Sequence, residues 1–270
     1  MPFHLPLDQI IQIADRHTLA VQWWLSSRSP KGIQIKYDIA RLGSTGLPVP
    51  LLNLALGCDF TNDAAIDDEI ESIKNTFAKR NVPWYWWIGT KPHPNNFAER
   101  LGQHNIVLDR PPLPAMAAEI PQVLPPIPRN IRVWQATRRQ DLEAASTIRR
   151  VAFRFAEGVA LDYFESMAND WLRGDPAKLY LASLDEGPPA SIGALIMGEG
   201  IPGVYVMATL PEWGRKWLGK ALLTRILQEA MEQGYKIIVL TASRFGYPLY
   251  QQFGFQHIFD YSIYQLKTSL

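Results

Sequence analysis

Two segments hold the residue types and spacings that could do chemistry. The first is Val204–Leu223, VYVMATLPEWGRKWLGKALL, which passes from an apolar strand-like stretch through a tight loop into a helical pattern. A helix entered this way has unpaired backbone N–H groups and the positive end of its dipole at its start, a ready site for an anion. Arg215, Lys216 and Lys220 add positive charge. Taken alone, the same features describe a solvated basic helix start. The second segment is Thr241–Phe255, TASRFGYPLYQQFGF. Its Tyr250 is a phenol that could give a proton to a departing group within hydrogen-bond reach; the alternative is an amphipathic core tyrosine. Other chemistry is thin. Cys58 is the one cysteine, read as a buried small residue rather than a nucleophile. The histidines His4, His17, His93, His104 and His257 are scattered, so no metal site is expected.

These groups need elements to position them. Ile131–Ala136 alternates as a strand, and Thr137 with Gln140 reads as a capping box for the helix behind it. A second helical stretch runs from about Leu161 to Leu172. Strands follow at Leu179–Leu184, Ile192–Met197 and Gly203–Leu210. Gly219–Gly234 is a helix whose apolar face is Leu222, Leu223, Ile226, Leu227 and Ala230. Ile237–Leu240 reads as a buried strand, a short helix starts near Tyr247, and Ile258–Leu266 closes as a strand. The expected order is β-α-α-β-β-β-α-β-α-β.

Seven prolines crowd Pro111–Pro128, which marks a junction. The expected parts are residues 1–120, a linker at 121–130, and a domain at 131–270. The halves also resemble each other. Setting Leu101-Gly102 on Phe253-Gly254 lays WYWWI over IIVL and NNFAERL over YPLYQQF, and Ile66–Lys79 is helical as Gly219–Gln233 is. Duplicated halves in one chain would replace a two-fold dimer, so a monomer acting as a pseudo-dimer is expected.

Composition narrows the partners. Lys and Arg number 27 against 26 Asp and Glu, a formal net charge of +1. That gives no footprint for nucleic acid or an anionic membrane. The chain starts without a signal-peptide pattern and has no apolar run near the ~20 residues that span a bilayer. A soluble, cytoplasmic protein is the expectation.

Together the two segments and the element order resemble the GNAT acetyltransferases over residues 131–270. The family carries an Arg/Gln-x-x-Gly-x-Gly/Ala loop around the pyrophosphate of CoA. Here Gly214, Trp217 and Gly219 fall on its three signature positions, and only Gly219 keeps the pattern. Leu249-Tyr250-x-x-x-Gly254-Phe255 matches the family's Leu-Tyr-x-x-x-Gly-Phe. More narrowly, PWYWWIG, PAMAAEI and GYPLYQQFGF resemble a bacterial two-part subgroup with a degenerate N-terminal half.

The resemblance implies an α/β (α+β) fold, a mixed and centrally splayed sheet flanked by helices, in two fused halves. It implies acetyl-CoA as acyl donor and an amine acceptor, a small molecule or peptide, acylated by direct transfer in a ternary complex. Tyr250 becomes the acid that protonates the CoA sulfur. The loop Gly214, Arg215, Lys216, Trp217, Leu218, Gly219 and Lys220 would bind the pyrophosphate. The strand at Met207, Ala208 and Thr209 would splay and bind pantetheine, and Ser243 would touch the same arm. No base is assigned among Glu157, Asp162, Glu165 and Glu199. The departures at Gly214 and Trp217 keep open a non-catalytic protein that binds CoA or another ligand as sensor or partner.

The first half has Ala98 at the place of Tyr250, and Asp67 and Asp68 near the places of Gly219 and Lys220. Carboxylates there repel a pyrophosphate, so the first half is expected not to bind CoA but to form one wall of an acceptor cleft. Trp84, Tyr85, Trp86 and Trp87 are expected as core on one face and packing between halves on the other. Asn53 and the loop Ala40–Gly46 are candidates to approach the cleft.

Overall fold

The structure is a computed structural model that describes residues 3–57, 65–90, 96–109, 111–159, 164 and 166–267. Cys58, Asp162 and Glu165 lie outside the described residues. The chain divides into two compact units. The N-terminal unit takes Ile11–Ala115 with Ile258–Leu270, and the C-terminal unit takes Met1–Ile10 with Met116–His257.

The N-terminal unit begins with helix α1 (Leu7–Ser26), most of which it contains. Strands β1 (Ile33–Lys36), β2 (Arg41–Ser44) and β3 (Asn53–Leu56) follow as an antiparallel meander. Helix α2 (Ile66–Arg80) leads to β4 (Tyr85–Ile88), which is parallel to β3. Helix α3 (Phe97–Gln103) and strand β5 (Ile106–Leu108) complete the run. The inward stripe of α2 is Ile66, Ile70, Ile73 and Phe77, a helical spacing.

The C-terminal unit is built the same way. Strand β6 (Leu113–Glu119) carries the chain into it, and Ile120 N–H donates to Lys236 O at 2.8 Å. Strand β7 (Ile131–Gln135) leads to helix α4 (Arg139–Phe153) and helix α5 (Ala168–Arg173). Strands β8 (Ala177–Leu184), β9 (Ser191–Gly198) and β10 (Ile201–Thr209) form an antiparallel meander, with β7 on its outer edge. Helix α6 (Leu218–Glu232) then crosses to β11 (Ile237–Thr241), parallel to β10. Helix α7 (Tyr247–Gln252) precedes β12 (Gln256–Leu266). Among the described residues, the element order after residue 130 is the one expected. The meander, crossover helix and parallel strand match those of the N-terminal unit, so the duplication read in the sequence is a duplication of topology.

The last strand does not stay with the half that precedes it. β12 pairs antiparallel with β4 and β5 of the N-terminal unit. Contiguous domains of 1–120 and 131–270 therefore differ from the compact units, because β6 and β12 exchange ends between them. The aromatic run shows the consequence. Trp84 and Trp86 pack with Phe77 and Phe97 on one face. Tyr85 and Trp87 pack on the other with Leu19, Tyr261 and Ile263, the last two lent by the second half.

One local reading changes. The cap of α4 is not Thr137 with Gln140: Asp141 Oδ2 accepts the N–H groups of Thr137 and Arg138 at 3.1 and 3.0 Å. Trp134 Nε1–H donates to the other oxygen of that carboxylate, and these bonds hold its pKa below the usual range against the cost of burial. Among the described residues no helix is long and apolar enough to cross a membrane.

Candidate active site

The site forms where β10 and β11 part. Their register pair is Gly203 with Val239, and among the described residues Val204 to Thr209 have none in β11. On its other edge β10 carries a bulge. Tyr205 pairs with Ala194 and Ala208 with Ile192, so Val206 and Met207 together oppose Gly193. Val206 has φ +54, a conformation that a β-branched residue rarely adopts and that costs about 1–3 kcal/mol. The surroundings hold it there. Ser191, fully buried, donates to Ala208 O at 2.8 Å and shares a 2.7 Å hydrogen bond with Thr209 Oγ1. A Cβ built on Gly193 would fall on Met207 Sδ, so the Met207 side chain occupies the room the glycine leaves.

Beyond Thr209 a single 3-10 turn, Pro211–Trp213, leads to Gly214 and then to α6. The backbone turns left-handed twice, at Arg215 (φ +60) and Trp217 (φ +68). Trp217 therefore takes the conformation that suits the glycine expected at the fourth signature position, at a cost of about 1–2 kcal/mol. It is the N-cap of α6 and no side chain caps the helix, so the N–H groups of Leu218, Gly219 and Lys220 have no partner within it. Lys220 Nζ lies 4.8 Å from the Trp217 ring centre, and Lys216 Nζ 4.6 Å from that of Trp213. Gly219 faces Leu249 and Thr209: a Cβ there would stand 3.6 Å from Leu249 Cδ2 and 3.9 Å from Thr209 Oγ1.

Tyr250 sits in α7 at 6% exposure. Its ring lies against Gly246, where a Cβ would come within 2.8 Å of it, and 5.8 Å from the Phe255 ring. Gly254 (φ +82) ends α7: its N–H donates to Gln251 O, and Phe255 N–H donates to Tyr250 O. The Gly-Phe pair of the motif thus closes the helix and folds Phe255 onto Tyr250. No group among the described residues accepts from the Tyr250 hydroxyl. Burial raises its pKa, so the phenol keeps its proton at neutral pH.

Ser243 has a local duty. Its Oγ accepts Gly246 N–H at 3.1 Å, and its carbonyl accepts the N–H groups of Gly246 and Tyr247, which fixes the turn into α7. Glu199 lies in the turn between β9 and β10, about 20 Å along the strand from Val206 at ~3.3 Å per residue. Glu157 is exposed in the turn after α4.

The N-terminal unit differs at each corresponding point. β3 stays paired with β4 at Leu54–Tyr85, Ala55–Trp86 and Leu56–Trp87, and Gly57 N–H donates to Trp87 O. Helix α2 starts with Asp67, Asp68 and Glu69, where α6 has no acid. Ala98 is exposed on α3. Asn53 is no cleft residue: fully buried, it donates to the carbonyls of Leu47, Val49 and Pro83 and accepts from Ser44 Oγ–H and Gly46 N–H.

Sequence reading did not single out Gly193, nor a polar knot behind the site. Glu229 of α6, 8% exposed, accepts from Lys178, Tyr180, Arg225 and Gln233. Burial opposes its ionisation, but the hydrogen bonds from Lys178, Gln233 and Tyr180 prevail and bring its pKa to about 2. Tyr180 is raised by burial and by the Glu229 charge.

Comparison with known proteins bears on the fold. Residues 152–264 match the family model described as an acetyltransferase (GNAT) domain. No curated protein gives a significant match. Among solved structures, a GCN5-related N-acetyltransferase from Kribbella flavida is similar at TM-score 0.70 and 19% identity, covering 95% of this chain and 96% of that one. A tandem GNAT protein from the clavulanic acid biosynthesis pathway is similar at TM-score 0.59 and 13% identity, over 98% of this chain and 96% of its own. A GCN5-related N-acetyltransferase from Sphaerobacter thermophilus is similar at TM-score 0.61 and 14% identity, covering 86% and 82%. Residues 152–264 are thus similar to a GNAT acetyltransferase domain, within a fold that the chain shares along nearly its whole length with a tandem GNAT protein.

Proposed function

We propose that the C-terminal unit binds acetyl-CoA and transfers the acetyl group to an amine, a small molecule or a peptide, by direct attack in a ternary complex. The observation that carries this is the parting of β10 and β11 in a unit whose Tyr250, 6% exposed, has a hydroxyl with no partner among the described residues. Strand amides freed by the parting would pair with the pantetheine arm, along Met207, Ala208 and Thr209. The bulge would turn an N–H toward the thioester oxygen and stabilise the charge that develops there. The N–H groups that open α6 would hold the pyrophosphate, with the loop Gly214–Lys220 around it. Attack by the neutral amine forms the C–N bond and breaks the C–S bond; Tyr250 gives its proton to the departing sulfur, and the proton lost by the amine passes to water.

The N-terminal unit is proposed to be a degenerate copy that binds no CoA. Its strands remain zipped, and the acids that open α2 oppose an anion. One donor per chain is therefore expected, and a monomer by light scattering.

The test is calorimetric titration with acetyl-CoA and desulfo-CoA, followed by a thiol assay of CoA release over a panel of amines. Micromolar binding with one site per chain, and CoA release with any amine, supports the reading. Binding without release for every amine turns it into a sensor or partner protein. No binding at millimolar donor sinks it.

A further inference from the structure

Trp217 is held in a left-handed conformation and yet leaves 61% of its surface in solvent, so neither backbone preference nor burial explains an indole at this place. Its surroundings do. One face of the ring carries the Lys220 ammonium at 4.8 Å, and the same ammonium stands 5.9 Å from the Phe253 ring. Lys220 lies in the first turn of α6, among the N–H groups without helical partners. A flat apolar ring, a fixed positive charge and a helix N-terminus side by side complement a ligand that joins an aromatic base to phosphate. A separate observation points to a ligand at this end of the unit. Tyr250 is buried with its hydroxyl uncommitted, and its neighbour Leu249 packs on Gly219 in that same first turn.

We propose that Trp217 stacks on the adenine of the donor while Lys220 neutralises its phosphates, so that affinity is carried by the nucleotide end and donors lacking adenosine are discriminated against. This rests on the acetyl-CoA reading above. The indole in place of glycine would then exchange a loose phosphate cradle for a base platform.

The test compares CoA with 4′-phosphopantetheine by calorimetry on the full chain, as wild type and as Trp217→Asn and Trp217→Phe. Asparagine tolerates the left-handed backbone, so the loop keeps its course. Stacking predicts CoA binding about tenfold weaker in Trp217→Asn, phosphopantetheine binding unchanged, and CoA binding nearly restored in Trp217→Phe. Unchanged or tighter CoA binding in Trp217→Asn overturns the stacking role and leaves the acetyl-CoA reading intact. An equal loss for both ligands also overturns it and makes Trp217 a loop-shaping residue. A wild-type chain that binds neither ligand overturns both.

Discussion

Gly193 faces the bulge of the neighbouring strand, and the sulfur of Met207 fills the space where its side chain would be. Any Cβ there must displace Met207 and would itself stand 3.1 Å from Ile226 Cδ1. Gly193→Ala should therefore destabilise the protein by about 1–3 kcal/mol, the usual cost of overpacking, and slow acetyl transfer by shifting the bulge. Trimming the sulfur in Gly193→Ala/Met207→Ala should recover much of both. Thermal unfolding and turnover of the four variants in a mutant cycle check this; additive losses would mean that the two residues do not act together.

Tyr250→Phe removes a hydroxyl that no group among the described residues accepts from, so the unfolding midpoint should hardly move. Turnover should fall about 100-fold or more if that hydroxyl supplies the proton, while acetyl-CoA affinity stays near wild type. A fully active Tyr250→Phe enzyme would assign the proton to water.

Glu229 predicts how stability depends on acid. Its carboxyl is ordinary when unfolded, near 4.5, and near 2 when folded. Its contribution is thus complete above about 4.5 and lost as pH falls toward 2. The two values correspond to at most about 3 kcal/mol. Glu229→Gln should flatten the stability curve between these pH values and remove the carboxylate that Lys178 and Arg225 share, Arg225 keeping Glu232. Urea unfolding midpoints at stepped pH give the comparison, and parallel curves for the two proteins would refute it.

Asn53 stitches the turn between β2 and β3 to the segment before β4. Asn53→Asp replaces an NH2 that serves three carbonyl oxygens with a carboxylate oxygen that repels them. A loss of about 3 kcal/mol or more is expected, read as a lower melting temperature, and a neutral substitution would show that the turn has another support.

What the sequence made legible follows from periodicity. Leu222 to Ala230 mark one face of α6, and Ile237–Leu240 is apolar throughout, so both elements could be placed within a few residues. The Leu-Tyr-x-x-x-Gly-Phe spacing located Tyr250 because Gly254 has a backbone task that glycine does best. The bulge left no such trace. Val206 has a strand-forming side chain and a backbone that contradicts it, imposed by Gly193 and Ser191 on another strand. Trp217 conceals its left-handed turn too, because an indole gives no sign of a conformation that glycine usually takes. Asp141 rather than Gln140 caps α4 because the helix starts one residue later than a cap at Thr137 would place it. The proline-rich stretch marked a junction, but only strand pairing shows that β12 leaves the half it follows.

That departure sets a timetable for synthesis. β4 ends at Ile88 and its partner β12 begins at Gln256. At roughly 5–20 residues per second, the ribosome takes roughly 10–30 s to make the chain between them. Until then Trp87 lacks Tyr261, its ring partner at 5.7 Å, and the N-terminal unit must wait, unfinished, for the last strand to emerge.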